Sequence, residues 1–192
     1  MTRFQVGSAI PFLLLVGGCD WGSSVDLRNE SGSVVAQQIR KVASGGNFAQ
    51  PGRWETKITL NQVDAPGMPA GFVDKLKAQM RQPQVAASCL TAEDVKKGAF
   101  YVGEENQACR YERFAMGRGR IDGMLRCSDQ MGTRSMAMSG SYARDTYKLV
   151  VTTDSQSAQQ PGAAGKVSVT MTMDAKRSGQ CLGTEGRPLT RL

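Results

Sequence analysis

The chain contains no histidine in its 192 residues. That absence removes serine–histidine and cysteine–histidine nucleophile systems together with every imidazole metal site, because imidazole is the side chain that titrates near neutrality. Aromatic residues make up only 6%. The basic residues are not interleaved with them, so the cation-and-ring alternation of a nucleic-acid surface is missing and nucleic acid is not an expected partner. No run of five like charges occurs, which spreads the formal net charge of +7 thinly over the chain. There is no apolar run of membrane-spanning length, no internal repeat and no glycine pattern that cradles phosphate. With these classes removed, the expectation is a protein that is not an enzyme and carries no cofactor.

What is present begins at the N-terminus. Arg3, the apolar stretch Val6–Val16, and small residues Gly17 and Gly18 before Cys19 have the layout of a secretory leader. The junction Leu15-Val16-Gly17-Gly18-Cys19 resembles a bacterial lipobox. The resemblance implies a diacylglyceryl group on the Cys19 thiol, cleavage before Cys19 and acylation of the new amine. Stable anchoring takes more than one acyl chain, and this processing supplies three. The expected division is therefore a leader over 1–18, a lipidated Cys19 with polar tether and short helix over 19–49, and a β-rich domain over 50–192. The expected location is the bacterial periplasm, with the membrane as a partner through the N-terminal lipid. Asp20 follows the lipidated position, which in the same sorting scheme favours the inner membrane.

Setting Cys19 aside leaves Cys89, Cys109, Cys127 and Cys181. An even number in an exported chain predicts two disulfides, with three connectivities open. No pair has the close spacing of structural zinc ligands. The stretch 108–128 narrows the choice. Two strand-like arms flank Gly117-Arg118-Gly119, which suits a three-residue hairpin loop. That loop places Cys109 opposite Cys127, Tyr111 opposite Leu125, Arg113 opposite Gly123 and Ala115 opposite Ile121. These are non-hydrogen-bonded pairs, where side chains approach within disulfide reach. Arg110 falls opposite Arg126, which is unfavourable unless Glu112 intervenes. Cys89–Cys181 follows by elimination.

Along the rest of the chain, 20–33 reads as a polar tether, and Val35, Ile39 and Val42 recur at helical spacing. Trp54, Thr56, Ile58 and Leu60 share one face of a strand, and Phe72, Leu76 and Met80 mark a short amphipathic helix. Val85–Leu90 reads as a strand leading to Thr91, an N-cap with carboxylates Glu93 and Asp94 in the first turn. Met136–Tyr142 and Tyr147–Thr153 read as a hairpin, 154–165 as a loop, and Val167, Val169, Met171 and Met173 as one face of a half-buried strand. The expected fold is mainly β (α+β): an antiparallel sheet or small sandwich with one or two short helices and two disulfides.

Met136 with Met138, and Met171 with Met173, each put two thioethers on one strand face. Soft sulfur ligands select Cu(I), whereas methionine also fills irregular core space, and alternation alone places these residues inside. Arg118 and Arg120 form a small basic point for surface contact. The landmarks Pro51-Gly52-Arg53-Trp54-Glu55, Cys89-Leu90-Thr91, Cys109, Cys127 and Gly179-Gln180-Cys181 resemble the proteobacterial family known as domain of unknown function 3617, over about residues 50–181. The resemblance implies periplasmic residence and four paired cysteines, and it brings no activity or catalytic residues. Ser139-Gly140-Ser141-Tyr142 resembles a loop of membrane-bound lysozyme inhibitors. The functional expectation is a non-enzymatic binding or interaction module whose partner is an envelope protein or small ligand. Its alternatives are a carrier of a small apolar ligand, a methionine-based Cu(I) protein and an enzyme inhibitor.

Overall fold

The computed structural model describes residues 24–43, 48–69, 71–97 and 108–186; the leader, Cys19 and Asp20 lie outside them. The chain runs β1 (Val25–Ser31), α1 (Gly32–Ala43), β2 (Gly52–Asp64), α2 (Phe72–Gln79), β3 (Gln84–Leu90), α3 (Ala92–Lys97), β4 (Cys109–Gly117), β5 (Arg120–Asp129), β6 (Gly132–Tyr142), β7 (Thr146–Ser157) and β8 (Lys166–Gly179). The strands make one sheet in the order β1-β4-β5-β6-β7-β8-β2-β3, with every neighbouring pair antiparallel. The expected mainly β fold with antiparallel pairing is what forms, as a single sheet.

Period-two patterning decides which face is inner. One row of facing residues crosses seven strands as Leu27, Phe114, Gly123, Met138, Val151, Met171 and Leu60. The next runs Val25, Met116, Ile121, Gly140, Leu149, Met173 and Ile58. Helix α1 places Val35, Ile39 and Val42 in the core cluster on this face and packs against β1 and β4. Trp54 is fully buried. Its Nε1–H donates to the Gln50 carbonyl at 3.0 Å, and its ring lies 5.7 Å from that of Tyr147. Gly140 is required by crowding: a Cβ there would meet the Lys148 carbonyl and the Leu149 side chain.

The β4–β5 hairpin differs from expectation in two places that cancel. Its turn has two residues, Arg118 at φ 51° and Gly119 at φ 72°, so Gly117 pairs with Arg120. Both central residues having positive φ is the geometry that matches strand twist. The register then shifts by one between Tyr111 and Arg113. This bulge restores Tyr111 opposite Leu125 and Cys109 opposite Cys127. Between the two irregularities the expected pairs give way: Phe114, not Arg113, faces Gly123, and Met116, not Ala115, faces Ile121. Phe114 and Met116 are the buried pair as a result. Arg110 does face Arg126. The repulsion is relieved on both sides, since Arg126 pairs with Glu112 at 2.6 Å while Arg110 donates to Asn29 at 3.1 and 2.9 Å.

Both expected disulfides are present, Cys109–Cys127 and Cys89–Cys181. They close sequence separations of 18 and 92 residues, each of which stabilises by about 3–5 kcal/mol in the chain-entropy view. Thr91 caps α3 as expected: its Oγ1 accepts the Asp94 N–H at 3.0 Å and Asp94 Oδ2 accepts the Thr91 N–H at 2.9 Å.

Three other expectations are corrected. Residues 25–31, read as tether, are edge strand β1, with Val25 and Leu27 turned inward between polar neighbours. The boundary at residue 50 therefore cuts through the core. Asp154–Ser157, read as loop, continues β7, with Asp154, Ser155 and Gln156 paired to Ser168, Val167 and Lys166 on β8 and Ser157 to Gly132 on β6. Helix α2 forms where expected but buries no residue, and Phe72 is 47% exposed.

Ile39 is fully buried although it precedes most of the sheet in sequence. Ile39→Ala should cost about 2–5 kcal/mol. Urea unfolding with an unchanged slope and a lowered midpoint is the expected result.

Candidate functional site

The inner face is sealed under α1 and around Trp54, Leu90 and Ala175, and half-covered elsewhere on β8 and β2. Under α1, Phe114 is 0% exposed, and Val151 at mid-sheet is 3% exposed. Farther along the same rows, Met171, Leu60, Met173 and Ile58 are only half-buried, as are Met136 and Val169. Five of them, Ile58, Leu60, Val169, Met171 and Met173, form an apolar band over β8 and β2, and Thr153 on β7 separates Met136 from it. It has no ionisable group of its own.

At one end of this band the inner face turns polar. The row Cys127, Arg134, Ser155 and Val167 borders a cleft of about 360 Å³ that also takes in Cys109, Met131 and Ser157. On the opposite face the row Arg126, Ser135, Asp154, Ser168 and Asp64 lines a second cleft of about 440 Å³, joined by Arg134 and Lys166. Cations, carboxylates and hydroxyls are mixed there, and nothing in the set points to a catalysed reaction. Neither cleft was anticipated. The cross-strand rows that build them need the register, which hydropathy does not supply.

The four methionines lie on one face, yet β7 separates the pairs. Val151 stands between Met138 and Met171, and Thr153 is the partner of Met136. Two strand spacings of about 4.8 Å put the pairs roughly 10 Å apart. Met138 is buried in the core cluster, with Met136 and Met173 packed against it, which is the arrangement of core packing. Arg118 and Arg120 are exposed at the β4–β5 turn. Ser139-Gly140-Ser141-Tyr142 lies within β6 with Tyr142 buried, so it is strand where the inhibitor resemblance implies a loop.

The Trp54 end carries the other ordered group of charges. Arg53 lies 3.3 Å from Glu55 and 3.5 Å from Glu185. Arg177 donates from Nε to the Pro51 carbonyl at 2.7 Å. Glu185 ties down the segment beyond Cys181: its carboxylate accepts the Leu182 N–H at 2.8 Å and the Gly183 N–H at 2.9 Å. Gly186 then bridges to Ser88, and its carbonyl accepts the Cys89 N–H at 3.1 Å. The C-terminal segment thus covers one end of edge strand β3. The Leu182 amide first, with the Gly183 amide and Arg53 adding to it, holds the Glu185 carboxyl below its ordinary 4.5. On the buried side, desolvation pushes the Tyr142 and Tyr147 hydroxyls up, and the Thr56 contact at 3.2 Å opposes this at Tyr147.

These features define a disulfide-linked, single-sheet β domain with a sealed core and a half-covered apolar band. The sequence profile of the family described as Protein of unknown function (DUF3617) matches residues 49–181, and the chain belongs to that family. The match begins just before β2 and ends at the second disulfide, leaving β1 and α1 outside it. Comparison with curated proteins and with solved structures gives no match.

Because the folded Glu185 pKa is depressed, its stabilising contribution is complete above the ordinary value and is lost as pH falls through the lowered one. The amide proton shifts of Leu182 and Gly183 should titrate together below pH 4.5. In Glu185→Gln both should stay flat over that range; a titration that survives the substitution would refute the assignment.

Proposed function

We propose that this protein is a non-enzymatic binding module of the bacterial envelope. A lipid on Cys19 holds it to the periplasmic face of a membrane, and the half-covered apolar band receives an apolar ligand or partner segment. The band carries this reading. Ile58, Leu60, Val169, Met171 and Met173 are half-buried, while Phe114, Met116, Ile121, Met138, Leu149 and Val151 on the same face are buried. Covering such surface is favourable by about 25 cal/mol for each Å² removed from water. Methionine suits a surface that must adapt to its occupant, since the thioether chain is unbranched and polarisable. Two disulfides in a chain of this size fit an oxidising compartment, in keeping with the leader and the lipobox resemblance. The absence of histidine agrees with binding as opposed to turnover.

Mass spectrometry on protein extracted gently from native membranes tests both parts. The denatured mass should correspond to a chain beginning at Cys19 with three acyl chains and two disulfides. The native spectrum should carry extra mass, or crosslinking in the intact envelope should capture a partner through the band. Leu60→Glu should abolish either signal while leaving the disulfides formed. An unacylated mass would sink the anchor; neither added mass nor a band crosslink would sink the binding role.

A further inference from the structure

The antiparallel order brings one set of strand ends to a common rim. Val25 begins β1 opposite Met116 near the end of β4. Beside it lie the β4–β5 turn at Arg118-Gly119, the β6–β7 turn at 143–145, and the end of β8 around Lys176, opposite Thr146 on β7. Most carboxylates on this rim are engaged, with exposed Asp26 beside Val25 the exception, and Glu55 stands opposite Lys176 across β2 and β8. Asp145 is 3.9 Å from Arg177, Asp174 is 3.8 Å from Lys148, and Glu55 and Glu185 both face Arg53. Arg118, Arg120, Arg144 and Lys176 are exposed, and none has an ion pair among the described residues. The opposite strand ends carry no such surplus, since there Arg134 and Lys166 share clefts with Asp64, Asp154 and Asp129.

Cys19 lies six positions before Val25, and six extended residues span at most about 20 Å. The chain enters the sheet at the basic rim. We propose that this rim is a membrane-docking surface: Arg118, Arg120, Arg144 and Lys176 rest on anionic phospholipid headgroups and set the sheet with its strand ends toward the bilayer and its clefts away from it. The inference rests on the anchor reading for its geometry, while its electrostatics stand on the rim alone. Each cation held at an anionic leaflet is worth about fivefold in occupancy, so four give on the order of several hundredfold. The attraction acts only within a Debye length, about 10 Å at 0.1 M salt and about 3 Å at 1 M.

The test uses the full protein extracted with its native modification and reconstituted into phosphatidylcholine vesicles with or without phosphatidylglycerol. Deuterium uptake in the turns at 117–120 and 143–146 should slow several-fold on the anionic vesicles, and molar salt should remove the difference. Arg120→Glu with Arg144→Glu should lose the protection, and Arg120→Lys with Arg144→Lys should keep it. Both positions are exposed, so intact disulfides in the denatured mass verify that the variants fold. Equal uptake on the two vesicle types would overturn the proposal. Should the denatured mass lack acyl chains, flotation of the same protein with phosphatidylglycerol vesicles but not with phosphatidylcholine vesicles would keep the rim contact while removing the anchor. Flotation with neither would remove both.

Discussion

Tyr111 and Phe114 point to the same face of a strand although they are an odd three positions apart, and much of the structure depends on that irregularity. Without the extra residue at the bulge, the two-residue turn at Arg118-Gly119 would carry its register outward unchanged, and Cys109 would miss Cys127 by one position. A slip of one residue turns a strand's whole apolar set to the other side. The bulge therefore reconciles two demands: Phe114 and Met116 inward near the turn, and Tyr111 and Cys109 inward beyond it. Its extra residue, Glu112, is also the group that neutralises Arg126 across the strand. On the other side β1 accommodates the same place with Asn29 at φ 54°, a residue type that tolerates the left-handed region. The edge strand, its helix and the disulfide all inherit this register.

An open sheet has two edges, and unpaired edges invite association. At β3, the Cys89–Cys181 bond, the Gly186 bridge and the Glu185 carboxylate bring the C-terminal segment onto one end of the edge. At β1, polar Asp26, Arg28 and Asn29 alternate with the inward residues. A short strand of that composition is a poor template for a further one. The same device hides the strand in the sequence, because seven mostly polar residues ahead of the first helix look like tether until β4 supplies their partners.

How far the fold was legible follows from this. Period-two patterning gave one face of β2 and of β8, the stretches 136–142 and 147–153 read as a hairpin, and helical spacing gave α1 through Val35, Ile39 and Val42. Both disulfides were readable because the cysteines are few and the hairpin is local. The bulge was not, since nothing in the Tyr111–Phe114 stretch distinguishes a shifted strand from a regular one until the buried partners are known. The apolar band was half legible. Alternation in β8 placed Met171 and Met173 inward, but only the strand order puts Val151 between them and the β6 methionines. The clefts and the basic rim were not legible beyond Arg118 and Arg120, because they gather residues from distant turns.

The placement of α1 links fold to function. A helix of 12 residues is about 18 Å long, while eight strands at about 4.8 Å make a sheet far wider than a helix. One short helix packed on β1 and β4 cannot cover every row from β1 to β2. The surplus inner face is a consequence of strand count, and it falls at β8 and β2, the half remote from both α1 and the N-terminal entry. Under the proposed anchor on Cys19, the apolar band would lie on the side away from the tether. Anything that occupies the band must approach β2 and β8, where Met68 and Phe72 are exposed, on the side of the sheet remote from β1.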